Sequence, residues 1–148
     1  MIEMKTKMVA LDQNNHCVVV LSDLEEKLML PIWIGILEAQ SITLQLTGES
    51  SGRPLAHDLF IDLCRETDCS VEKVVISDLN NDTYLAQMYL AIKGEVSILD
   101  ARPSDAIAIA LRSNAPIYME DHLVEYTHAP EDFLQLEEDG VEEEQFLH

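Results

Sequence analysis

The chain has 148 residues, 47% of them hydrophobic, enough for one domain with a packed core and too apolar for a disordered polypeptide. Twenty-eight Asp and Glu against nine Lys and Arg give a net charge of −19, which disfavours simple electrostatic binding to nucleic acid. Three cysteines (Cys17, Cys64, Cys69), odd in number and without CxxC spacing, exclude a disulfide framework and a cysteine zinc site.

No run approaches the ~18 apolar residues of a membrane span. The opening "MIEMKTKMVAL" lacks the apolar stretch of a signal peptide, so a cytoplasmic protein with no membrane association is expected. Residues 2–11 alternate, with Ile2, Met4, Thr6, Met8 and Ala10 on one side, and predict a half-buried strand. "DQNN" predicts a turn and the β-branched "HCVVVLS" a second strand. "LMLPIWI" predicts a third strand, placed at an edge or a bulge by Pro31, which has no N–H to donate; Trp33 within it is expected in the core. "ILEAQSITLQLTG" suits a helix with Ala39, Ile42 and Leu46 on its apolar side. Glu38, Ser41 and Gln45 form its polar stripe, and Gly48 is its stop.

After the polar loop "ESSG", the stretch "RPLAHDLFIDLCRE" predicts a second helix. Pro54 is expected at its first position and Leu55, Ala56, Leu59, Phe60 and Leu63 on its apolar face. Three strands follow, "VEKVVISD", "TYLAQMYLAI" and "EVSILDA", joined by "LNND" and "KG" turns. A helix opened by Pro103 comes next, then a short strand "PIYM" and an acidic helix starting near Pro130. The pattern predicts an α+β fold with a mixed, largely antiparallel, barrel-like sheet and packed helices. The echo of "VVVLSDL" in "VVISDL", with "RP" opening a helix in each half, suggests internal duplication of a three-strand-plus-helices unit. The expected organisation is a single domain over residues 1–135 and an acidic tail over residues 136–148.

The charge is concentrated at the two Arg-Pro helix starts. In "DARPSDAIAIALR" Asp105 takes about the third helical position, where a carboxylate favours the unpaired N–H groups. Arg102, three residues earlier, can reach it. Ser104 is free to bond backbone or ligand, and "AIAIAL" behind them is apolar all round, as in a buried helix. In "RPLAHD", Arg53 and His57 are spaced to be neighbours across a helical turn, and a histidine there could act as an acid or base. Asp58 and Asp62 lie on one helix face and could share a divalent cation, or simply be solvated. Arg102 with Asp100 and Asp105 reads equally as a salt-bridged helix cap. His16, His122, His128 and His148 show no ligand spacing, and there is no Walker loop, GxGxxG or GxSxG.

The blocks "LPIWIGILEAQSI" (30–42), "RPLAHDL" (53–59) and "DARPSDAIAIALR" (100–112), in this order, resemble the bifunctional nuclease (BFN) domain family. The resemblance covers about residues 1–135; the acidic tail lies outside it. It implies a compact, duplicated α+β fold with a barrel-like sheet, a homo-oligomer, and hydrolysis of DNA and RNA. On that footing, chemistry assigns His57, Asp58 and Asp105 to catalysis, and Arg53, Arg102, Ser104 and Arg112 to substrate phosphate. Asp58, Asp100 and Asp105 become candidate ligands for Mg²⁺ or Mn²⁺. This composite site requires the two Arg-Pro helix starts to converge. The alternative is a non-catalytic oligomeric binding or assembly module with an anion pocket at the helix starts.

Overall fold

The computed structural model describes residues 1–132 and the short strand at 141–143. Strands β1 (Ile2–Asp12), β2 (Cys17–Asp23) and β3 (Met29–Ile34) form an antiparallel unit. Its connections are held by aspartates. Asp12 accepts the N–H groups of Asn14 and His16, and Asp23 accepts those of Lys27 and Leu28, so each polar turn is closed by its own carboxylate. Helices α1 (Ile36–Thr47) and α2 (Ala56–Glu66) follow. Gly48 ends α1 in the left-handed conformation, as its position predicts.

The second unit is β4 (Cys69–Asn80), β5 (Thr83–Ile92) and β6 (Glu95–Ala101). Both of its hairpins turn on two residues with positive φ, Asn81–Asp82 and Lys93–Gly94, which matches the right-handed strand twist. Helix α3 (Pro103–Ser113) and the short strand β7 (Ile117–Met119) complete the pattern. β7 joins the two units: it pairs antiparallel with β1 and parallel with β4, giving the order β3-β2-β1-β7-β4-β5-β6. β8 (Val141–Glu143) lies beside β1, off this path. Register shifts in β1 and β4 bend their strands, and the sheet curls into a half-barrel. The fold is the expected mixed, curled α+β architecture; the shared order of three strands and a helix does not by itself show a duplication.

α3 is the axis of the core. Ala106, Ile107, Ala108, Ile109 and Ala110 are all buried, so the helix is covered on every side. Its alanines allow α1 and α2 to approach closely, while Ile107 packs in the cluster that contains Ile42, Val74, Ile76 and Met119. Burying Ile107 contributes about 2–3 kcal/mol.

Several expectations are corrected. Pro54 precedes α2 rather than opening it: Leu55 is the N-cap and Ala56 the first helical residue. The buried stripe of α2 is Ile61 and Cys64, with Phe60 partly covered, whereas Leu59 and Leu63 are exposed. Leu46 and Trp33 are also exposed. Trp33 stands near the end of β3, an edge strand among the described residues, and its Nε1–H donates to Asp12 Oδ2 at 3.1 Å. Pro31 does sit in an edge strand. Residues 130–132 are helical; the rest of the expected acidic helix, and most of the tail, lie outside the described residues.

Candidate active site

The three helices bring their polar residues to one place. Glu38, Ser41 and Gln45 recur at helical spacing on α1. On α2, the Leu55 N–H donates to Asp58 Oδ2 at 2.8 Å, which fixes the helix start and puts His57 in the first turn. On α3, Arg102 is the N-cap, Pro103 the first helical residue and Asp105 the third, as the sequence predicts.

The two Arg-Pro helix starts converge through one contact, His57 Nε2 to Asp105 Oδ1 at 2.9 Å, across 48 residues of chain. On the other side of the ring, Nδ1 lies 2.6 Å from Ser41 Oγ. Asp105 Oδ2 accepts from Arg102 Nε at 2.7 Å, and Arg102 Nη2 pairs with Glu38 Oε1 at 2.7 Å. The result is a continuous chain, Glu38–Arg102–Asp105–His57–Ser41, that touches α1 at both ends and links all three helices.

A second set locks the helices beside it. Arg112 donates through Nε to Asp58 Oδ1 (2.7 Å), through Nη1 to Ala108 O (2.9 Å) and through Nη2 to Ser41 O (3.2 Å). Its side chain is only 6% exposed.

Protonation states follow from these contacts. Burial raises the Asp105 carboxyl, but hydrogen bonds and charge from Arg102 and His57 outweigh it and hold the group below its ordinary range. Its place in the first turn of α3 acts in the same sense. Asp105 is therefore ionised at neutrality and can only accept, so His57 carries a proton on Nε2. In the neutral ring Nδ1 is then the acceptor for the Ser41 hydroxyl. Asp58 is held low in the same way: burial opposes ionisation, and the Leu55 N–H and Arg112 prevail. Arg102 is held more firmly protonated, first by Asp105 and then by Glu38.

Accessibility separates the roles. Ser41 is 2% exposed, so its hydroxyl orients His57 and is not presented to a substrate. The side chains of His57 and Asp105 are 14% and 31% exposed, and Arg102 is 65% exposed. Two of Arg102's nitrogens are in ion pairs; Nη1 has no partner among the described residues and remains available to an anion.

The other expected residues are placed differently. Arg53 is exposed, has no ion pair among the described residues, and lines a cleft of about 330 Å³ shared with Asp58, Asp62 and Arg112. Arg102 and Ser104 line another, of about 300 Å³. Asp62 pairs with Arg65. Asp100 is exposed on edge strand β6, opposite Gln87, and shares no hydrogen bond or ion pair with the cluster among the described residues. A metal does not fit this donor set. Asp58 and Asp105 are already neutralised by arginines, and among the described residues no three His, Cys, Asp or Glu side chains gather as ligands. Glu38 and Ser41 were visible in the sequence only as the polar stripe of α1. That stripe was the signal, because it faces the cluster.

The profile of the bifunctional nuclease domain matches residues 19–132. An uncharacterized protein of Mycobacterium tuberculosis (strain H37Rv) is 42% identical over 107 residues, covering 72% of this chain and 63% of that protein. Bifunctional nuclease 2 of Arabidopsis thaliana is 33% identical over 101 residues, 65% of this chain and 30% of the plant protein. Bifunctional nuclease 1 of Oryza sativa subsp. japonica is 32% identical over 108 residues, 70% and 32% respectively. The chain thus spans less than two thirds of the mycobacterial relative and about a third of the plant ones. Among the described residues no helix is long and apolar enough to cross a membrane.

Proposed function

The chain belongs to the bifunctional nuclease domain family, and from that premise we propose that it hydrolyses phosphodiester bonds of DNA and RNA at the His57–Asp105–Arg102 cluster. The observation that carries this is the His57–Asp105 contact, which places an oriented imidazole beside the most accessible cation of the cluster.

Arg102 takes a non-bridging phosphate oxygen through its unpaired nitrogen, fixing the phosphorus next to Asp105 and offsetting the acidic field of the protein. A water reaching the partly exposed edge of the His57–Asp105 pair loses its proton to that pair as it attacks phosphorus. Asp105 takes that proton on a carboxylate oxygen, the His57 Nε2–H steadies the carboxylate, and Ser41 holds the opposite edge of the ring through Nδ1. The same pair returns the proton to the departing oxygen. Arg112 and Asp58 position α2 and α3 and do not touch substrate. Arg53, in the neighbouring cleft, meets a flanking phosphate.

Cleavage of single-stranded RNA and duplex DNA in Mg²⁺, Mn²⁺ or EDTA, by wild type and an Arg102→Ala/Asp105→Asn variant purified identically and shown to be folded, tests the proposal. Loss of cleavage in the variant supports it; equal cleavage by both sinks it.

A second reading, an oligomeric assembly module, is favoured by a specific observation: Leu37, Leu59, Leu63 and Val96 are all more than half exposed. On this reading the arginine pairs serve only the fold. Self-association that survives Arg102→Ala, with no cleavage by wild type, favours it.

A further inference from the structure

The cleft that holds Arg102 contains more than a phosphate site needs. Ser104 lines it and is 6% exposed, yet its hydroxyl has no hydrogen-bond partner among the described residues. Unlike the sealed, unpaired hydroxyls of Thr6, Ser22 and Thr43, that of Ser104 is open to the cleft, where a ligand can reach it. It sits on the second residue of α3, beside unpaired backbone N–H groups, and Gly35, the N-cap of α1, lines the same cleft. Two helix starts, one unpartnered hydroxyl and Arg102 therefore line a single space of about 300 Å³, at the lower end for small-ligand sites.

The same lining includes aromatic surface. Trp33 is 54% exposed, a large apolar surface left to solvent on an edge strand. Its indole N–H is already bound to Asp12, which holds the ring in place and leaves its face as the available surface. Tyr84 lines the cleft beside it, and burial pushes its phenol above the ordinary value, so it stays neutral. Asp82, on the β4–β5 turn, is the one carboxylate in the lining and opposes an anion there. The donors and the aromatic surface together describe a phosphate attached to a planar ring, rather than a free anion.

We infer that this cleft takes one unstacked nucleotide of a single strand, its base against Trp33 and Tyr84 and its phosphate on Ser104 and Arg102. A base paired in a duplex cannot present its face to Trp33, so the cleft selects single strands. The inference rests on the nuclease reading of the adjoining His57–Asp105 pair and supplies the substrate class that reading leaves open.

Trp33 is the only tryptophan of the chain, so its fluorescence reports on the surroundings of this one ring, and the Ser104 variant below ties the signal to this cleft rather than to the one beside Asn15 and Cys17. The probe is a ten-nucleotide phosphorothioate oligothymidylate, resistant to cleavage, added to the full chain alone or annealed to its complement. The single strand is expected to quench Trp33 saturably, and the duplex at least tenfold more weakly. With a dye-labelled probe followed by anisotropy, Trp33→Leu is expected to weaken binding on the order of tenfold or more. Ser104→Ala, a change the helix tolerates, is expected to weaken it roughly tenfold. No quenching, equal binding of the duplex, or unchanged affinity in both variants overturns the inference. Cleavage of an ordinary oligonucleotide by wild type with a silent Trp33 removes the cleft and leaves the nuclease reading; saturable quenching without cleavage removes the nuclease reading and leaves the cleft.

Discussion

Replacing Arg112 by Met should destabilise the protein without removing any group that meets substrate. The guanidinium is 6% exposed and bound on each of its nitrogens, to Asp58, Ala108 O and Ser41 O. Methionine keeps most of the side-chain volume, so the loss is electrostatic rather than a cavity. Breaking a buried pair by removing one partner costs about 3–5 kcal/mol, because the other charge is left uncompensated. Asp58 keeps the Leu55 N–H and its side chain is 36% exposed, so water recovers part of that. The expected loss is about 2–3 kcal/mol, or a fall in melting temperature of roughly 5–10 °C at this chain length. The assay is urea denaturation of wild type, Arg112→Met, Asp58→Asn and the double variant. In the Asp58→Asn background the cost of Arg112→Met should drop by about 1 kcal/mol or more, since no stranded carboxylate remains. A single-variant loss below about 0.5 kcal/mol, in the range of an ordinary surface change, or strict additivity in the cycle, would refute the helix-locking role given to Arg112.

Other consequences concern backbone, cap and pH. Gly94 has φ +84° with open space around it, so Gly94→Ala should cost about 1–2 kcal/mol from backbone strain alone, measurable by thermal melting. A Cβ on Gly35 would lie 2.5 Å from Glu38 Oε2, so Gly35→Ala should push Glu38 off Arg102. Gly35→Ala and Glu38→Gln should then weaken cleavage to a similar degree, with the double variant no worse than either; additive losses would contradict this. The carboxyls of Asp58 and Asp105 are depressed in the folded state, so their stabilisation is fully present above the unfolded value of 3.8 and disappears as pH falls through the lower folded values. Stability from these groups should thus be level between about pH 5 and 7 and decline below about pH 4, a decline reduced in Asp105→Asn when followed by urea midpoints across the acid range.

Local chemistry made much of the fold readable. Alternation in residues 2–11, turn residues at "LNND" and "KG", and Pro31 on an edge are all short-range signals, and each agrees with the sheet. So is the Arg102–Asp105 pair, which spans three residues of one helix start. What resisted reading depends on which surfaces meet. α2 carries two apolar stripes, and composition cannot say that Ile61 and Cys64 face the core while Leu59 and Leu63 do not. Trp33 looks like core in an apolar strand, but it is exposed near the end of an edge strand among the described residues. The contacts that build the site, His57 to Asp105 and Arg112 to Asp58, join residues 48 and 54 apart and exist only once α3 is buried between its neighbours. The same packing separates Arg53 from Arg102, placing them in different clefts despite their matching Arg-Pro contexts.

If the His57–Asp105 pair performs the proton transfer in phosphodiester hydrolysis, replacing the imidazole must slow cleavage. The most direct measurement is the rate at which wild type and His57→Gln, each shown to be folded by circular dichroism and melting, cleave a fluorescent single-stranded oligoribonucleotide. A loss of roughly a hundredfold or more is expected in the variant, the scale of general acid–base catalysis. Cleavage by His57→Gln within a few-fold of wild type would contradict it.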